Sequence, residues 1–338
     1  MSSAEQWTEK EKRKLKIFAF VNFGMTILMG ILMGISYKQG NDVTAFASAQ
    51  MMYPAAGVIL ALIAVEGKSR KLPVKFFAVY LVTSGLAVLL TIANVFIPTE
   101  WWYLIENYVF IIGSIVSWVM LLIEKKEIRD EFALRFGGHG TAKSLLLMLL
   151  FLGLYILRLF MSGLVEGNVG EIVKIFASFD TWIMMGVLVI NFYLTFIIFF
   201  GEEYGWRYFL QPMLQKRFGL KGGVILLGVI WGLWHLPINV YYYSPDTWFF
   251  SILIHQITCI TFSVFFGYAY GKSGNIWVPI VIHYINNNMA AVISGTGNLG
   301  DQVYGWKDVL LLFIINGIVF LPFLFTKIYQ ERKETAPL

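Results

Sequence analysis

Charge is scarce in this chain: Asp, Glu, Lys and Arg make up 14% of its 338 residues, against 58% hydrophobic residues. So low a charged share excludes an ordinary soluble domain. Cysteine is almost absent. Cys259 stands alone, which rules out an internal disulfide and a thiolate metal cluster. In its apolar surroundings it reads as a small packing residue. Low-complexity tracts and internal repeats are also missing. The apolar segments do not alternate over ~10 residues as barrel strands would. No basic block is interleaved with aromatics, so the net charge of +5 gives no reason to expect a nucleic acid partner.

What the sequence has in abundance is apolar runs near the ~20 residues that a membrane-crossing helix needs. Ten are counted: 16–37, 44–65, 76–97, 103–123, 145–165, 181–201, 222–241, 248–271, 275–294 and 306–326. The expected fold class is therefore all-α, a polytopic transmembrane bundle of about ten spans. Of the 26 Lys and Arg, only Lys38, Arg158, Lys174 and Lys307 fall outside segments 1–16, 66–75, 124–144, 202–221, 271–274 and the tail from 327. Basic residues mark cytoplasmic loops, so N-in and C-in is expected. The anionic inner leaflet is then the lipid partner of the basic loops. Trp101, Trp102, Trp248 and Trp306 sit at span ends, as interfacial anchors do. The basic start followed by an apolar run has no small-residue cleavage site, so it reads as a retained span.

Polar residues divide the chain in two. Residues 1–144 are expected to form an N-terminal four-span accessory region, with Glu106 its one intramembrane charge. Gly30-Ile31-Leu32-Met33-Gly34 has the spacing that permits close helix packing. The linker around Arg135-Phe136-Gly137-Gly138-His139-Gly140 is a natural boundary, with His139 read as solvated. Residues 145–330 hold the second part. Arg158 is expected to pair with Glu106 or to reach an interface, and His255 to be a satisfied bundle residue.

Ionisable residues are costly in a bilayer and mark function by default. They gather here in three groups: Glu202-Glu203-Tyr204-Gly205-Trp206-Arg207, Trp231-Gly232-Leu233-Trp234-His235 and His283-Tyr284-Ile285-Asn286-Asn287. Glu203 and Arg207 are four apart and can pair on one face, whereas Glu202 points about 100° away, at 3.6 residues per turn. His283 and Asn287 likewise share a face. If the sixth helix continues past Gly201 to Lys216, all three groups converge below the cytoplasmic surface. A carboxylate beside a histidine can hold a water and take its proton. A second histidine and an amide can stabilise an oxyanion. Alternatively, Glu202, His235 and His283 supply the carboxylate and two imidazoles of a catalytic zinc site, making a divalent metal such as zinc the candidate cofactor. The helix signature H-E-x-x-H is absent, and the sequence leaves both chemistries open.

The order E-E-x-x-x-R, then an aromatic four residues before His, then H-x-x-x-N resembles the CAAX prenyl protease and bacteriocin-processing family of intramembrane proteases (CPBP, or Abi). The likeness is strongest over 180–292. It implies that Glu202 and His283 activate water, that His235 and Asn287 form the oxyanion pocket, and that Glu203 and Arg207 are structural or position the substrate. Trp231 departs from the phenylalanine usual in the family's second motif. The implied function is an intramembrane endopeptidase acting near the cytoplasmic side of a bacterial plasma membrane. Its implied partner is a peptide or protein substrate, prenylated or membrane-embedded, such as a leader peptide or bacteriocin. A non-catalytic immunity or peptide-binding protein of the same fold is the alternative. A proton-coupled transporter is less favoured, since no matching pair of broken spans is seen.

Overall fold

A computed structural model describes residues 6–67, 69–99, 101–136, 140–294 and 300–330; His139 lies outside them. Helices follow one another as α1 Glu9–Lys38, α2 Thr44–Gln50, α3 Tyr53–Glu66, α4 Val74–Phe96, α5 Trp101–Ile123, α6 Lys126–Glu131, α7 Thr141–Glu166, α8 Val169–Ala177, α9 Phe179–Glu203, α10 Gln211–Phe218, α11 Leu220–Trp234, α12 Leu236–Ile238, α13 Trp248–Ser273, α14 Trp277–Ser294 and α15 Trp306–Phe320. No strand occurs among the described residues. The local reasons are legible. Thr8 and Glu11 form a reciprocal capping box that starts α1. Pro54 enters the first turn of α3, and Gly274 ends α13 at φ +63°.

The molecule is a multi-pass membrane protein. Among the described residues, eight helices are long and apolar enough to cross a bilayer, and a bent pair makes nine. The expected span 222–241 is that pair: α11 and the stretch Leu236–Tyr243 meet at 43°. The expected span 275–294 is helical as α14, but it does not qualify as a span by its own apolarity. Its 18 residues include His283 and three asparagines, which protein neighbours rather than lipid can satisfy.

The expected continuation past Gly201 is present. α9, a π-helical segment Tyr204–Leu210 and α10 form one run of 40 residues, Phe179–Phe218. The first four spans are packed onto this run, and one apolar core extends from Phe18 to Phe320. A Cβ on Gly201 would collide with the Met51 carbonyl and the Tyr80 hydroxyl, and one on Gly205 with Pro54. Gly30 and Gly34 let the bent segment approach: a Cβ there would lie 2.8 Å from Pro237 and 2.9 Å from Tyr241.

Arg158 does not pair with Glu106. Its guanidinium lies over Tyr155, Phe262 and Phe320 at 5.4–5.9 Å, while Glu106 is fully buried with Thr91 3.4 Å away. The two ends of the bundle differ. At one, Lys14 and Arg70 bind Glu66 at 2.7 and 2.9 Å, Arg70 also binds Glu131, and Lys216 binds Glu11. At the other, Asn94 donates to the Asp42 carbonyl, and Asp301 and Gln302 N–H groups donate to Tyr242 and Tyr243.

Candidate active site

The last turn of α9 delivers the two carboxylates to different surroundings. Glu202 Oε2 accepts hydrogen bonds from the indoles of Trp231 (2.7 Å) and Trp206 (3.2 Å). Glu203, fully buried, meets His283 Nδ1 at 2.9 Å and Arg207 Nε at 3.2 Å. This is the divergence that a ~100° step per residue produces. From Tyr204 the backbone widens to a π-helix, with the Gln211 N–H reaching back five residues to Trp206. Such segments are frequent at functional sites.

Arg207 is fully buried, and its guanidinium lies 4.5 Å from the Trp231 ring and 5.1 Å from Phe266. A buried cation can be stabilised by π faces as well as by an anion. One side chain therefore supports both halves of the site, Glu203 through charge and Trp231 through its ring.

His235 follows the end of α11. Pro237 lacks an N–H and disfavours helical backbone before it, and the bend falls there. Gln50 Nε2 donates to the Trp234 carbonyl at 2.7 Å, and the Trp234 indole donates to Asn22 at 3.1 Å. Both partners come from the first spans. His235 Nδ1 lies 2.8 Å from the Trp231 carbonyl. Only an N–H can bond a carbonyl oxygen, so Nδ1 carries the proton. In the neutral ring, Nε2 is then an acceptor. His283 Nδ1 faces the Glu203 carboxylate, an acceptor, which favours the same tautomer.

A cavity of about 320 Å³ joins these groups. Glu202, His235, His283 and Asn287 all line it. Glu203 and Arg207 do not line it; they stand behind His283 and Trp231. His283 makes its carboxylate hydrogen bond to Glu203 rather than to Glu202. Three further lining residues were not assigned to the site from sequence. Trp231 is a donor to Glu202. His255, expected to be a satisfied bundle residue, lies 5.0 Å from the His235 ring and stacks on Tyr243 at 4.7 Å. Cys259 Sγ is 3.9 Å from His235 Nδ1. His255 stands alone in its apolar segment 248–271, with no second histidine and no Asp, Glu, Lys or Arg there to single it out.

The zinc alternative fits this arrangement poorly. Among the described residues, no three His, Cys, Asp or Glu side chains stand together as a metal site would require. Glu202 Oε2 already receives two indoles.

Residues 182–289 match the family model described as Type II CAAX prenyl endopeptidase Rce1-like. That segment contains Glu202, Glu203, Arg207, His235, His283 and Asn287. The chain is thus similar to the CAAX endopeptidase family over about a third of its residues. A curated relative, CAAX prenyl protease 2 of Methanococcus maripaludis, is 43% identical over 47 residues, 13% of this chain and 17% of that protein. The similarity thus spans about a sixth of the relative's length. No solved structure matches the chain.

Proposed function

We propose that this protein is a member of the CPBP family and an intramembrane endopeptidase of the CAAX type, acting in the plasma membrane of a bacterial cell. The observation that carries the reading is one cavity lined by Glu202, His235, His283 and Asn287, inside the segment that matches an endopeptidase family. Glu202, steered by two indoles, takes a proton from water while the water oxygen bonds to the scissile carbonyl carbon. His283 Nε2 accepts the water's second hydrogen bond, with Glu203 fixing the ring. The Asn287 amide donates to the oxyanion. His235 stands beside it in the same wall, its ring oriented by the Nδ1–H bond to the Trp231 carbonyl. As the C–N bond breaks, the proton on Glu202 passes to the leaving nitrogen. No step is routed through a metal. The substrate is a membrane-embedded peptide or protein segment, prenylated or not. The scissile bond lies at the depth of Glu202, in the half of the bilayer nearer the basic loops.

The test compares protein and peptide termini in membranes holding wild type or Glu202→Gln at matched levels. New termini that depend on Glu202 establish the peptidase and reveal its substrate. Identical profiles alongside a phenotype kept by both proteins replace it with the non-catalytic binding reading.

A further inference from the structure

The cavity has a closed end and an open one. Toward the basic end of the bundle, Trp206, Arg207 and Phe266 are fully buried and Trp234 is 2% exposed. Among the described residues, none of the lining comes from the basic loops. In the other direction the lining continues through Thr44 and Ser48 of α2, Tyr103 of α5, Tyr243, Asn288 and Ala291. Tyr103 is 40% exposed.

These residues share one end of the bundle. Thr44 opens α2 just after α1 ends at Lys38, and Tyr103 stands in the first turn of α5. Tyr243 closes the bent segment, and Ala291 is near the finish of α14, which begins at the basic end where the Trp277 indole donates to the linker carbonyl of Leu134. Backbone bonds tie Tyr242 and Tyr243 to residues 301 and 302, ahead of α15. Span-end basic residues on this side are Lys38, Lys174 and Lys307; the lysines and arginines of α1's start, the 66–75 loop, α6, α10 and Lys272 all mark the opposite side. Basic loops stay in the cytoplasm.

We infer that the cavity takes an extended peptide segment from the extracytoplasmic side, although its reacting groups lie nearer the cytoplasmic face. The occupant follows from the walls. Amides of the asparagine row and hydroxyls of Thr44, Ser48 and the tyrosines are partners for a peptide backbone, which must keep its hydrogen bonds when it leaves water. From His283 to Ala291 the rise is about 12 Å at ~1.5 Å per residue. That length holds roughly four residues of extended chain at ~3.3 Å each. The inference rests on the peptidase reading for its occupant, and on the direction of the mouth for its side.

The test measures access without measuring hydrolysis. In a Cys259→Ser background, Ser48→Cys and, as a second reporter, Thr44→Cys are exposed to a charged, membrane-impermeant thiol reagent. Right-side-out and inside-out vesicles are compared, with Lys38→Cys and Lys126→Cys marking the two faces. The cavity cysteines are expected to react at least ten-fold faster from the Lys38 side, and that side is expected to be extracytoplasmic. Faster reaction from the Lys126 side overturns the inference. So does failure of both folded cavity variants to react from either side while Lys38→Cys reacts, or a Lys38 side that proves cytoplasmic. If access is as expected and termini do not depend on Glu202, the mouth stands and the peptidase reading falls. Glu202-dependent termini with access from the Lys126 side give the reverse.

Discussion

Glu202 and Glu203 are neighbours whose substitution separates chemistry from folding. Glu202→Gln retains an oxygen for the two indoles, so the fold should persist while hydrolysis is lost. Glu203→Gln leaves Arg207 buried with no anion, a change that typically costs ~3–5 kcal/mol. Thermal unfolding in detergent should therefore drop sharply for Glu203→Gln and little for Glu202→Gln; equal midpoints would refute the division. The indoles offer a second residue-scale prediction. Trp231→Phe and Trp206→Phe should each lower the rate by about ten-fold, ~1.4 kcal/mol of transition-state stabilisation. Because both donors act on Glu202 Oε2, the double variant should depart from additivity in a mutant cycle.

Among elements, the bent segment depends on the first helix. The GxxxG spacing in α1 was legible in the sequence, yet its partner was not, because the pattern says that something packs closely without saying what. The partner is Leu236–Tyr243, immediately after His235. Gly34→Ala would place a methyl 2.9 Å from the Tyr241 ring, and overpacking of this kind costs ~1–3 kcal/mol. Activity should fall in proportion to the displacement of His235, whereas Gly24→Ala, with nothing within 4 Å, should be silent. Equal activity for the two variants would show that α1 does not support the site. The same contrast explains the α14 discrepancy. Hydropathy found an apolar stretch at 275–294, but a helix carrying His283 and Asn286–Asn288 is held by protein rather than by lipid.

For the whole molecule, the helical membrane class and the six motif residues could be read from sequence, since apolar length and ionisable side chains are local signals. The pairing of His283 with Glu203, the recruitment of His255 and the role of Asn22 and Gln50 beneath Trp234 could not. Each joins helices far apart in the chain, and no spacing rule spans that distance. The continuous core predicts that residues 145–338 expressed alone will not give a stable protein, and that co-expression of 1–144 will restore it; protease resistance of the membrane-extracted fragments decides. With no three-donor cluster among the described residues, activity should also survive exhaustive chelation. Loss on chelation that zinc restores would bring back the metal alternative.

The π-helical turn between Glu203 and Gln211 holds one more residue than an α-helix of the same length. Removing a single residue from Tyr204–Leu210 would let the hydrogen bonds close in the ordinary pattern and rotate everything beyond by about 100°. The glutamates would keep their places while Lys216 swung away from Glu11. The extra residue thus acts as a phase shift, allowing one continuous helix to face the cavity with its first half and the basic end of the bundle with its second.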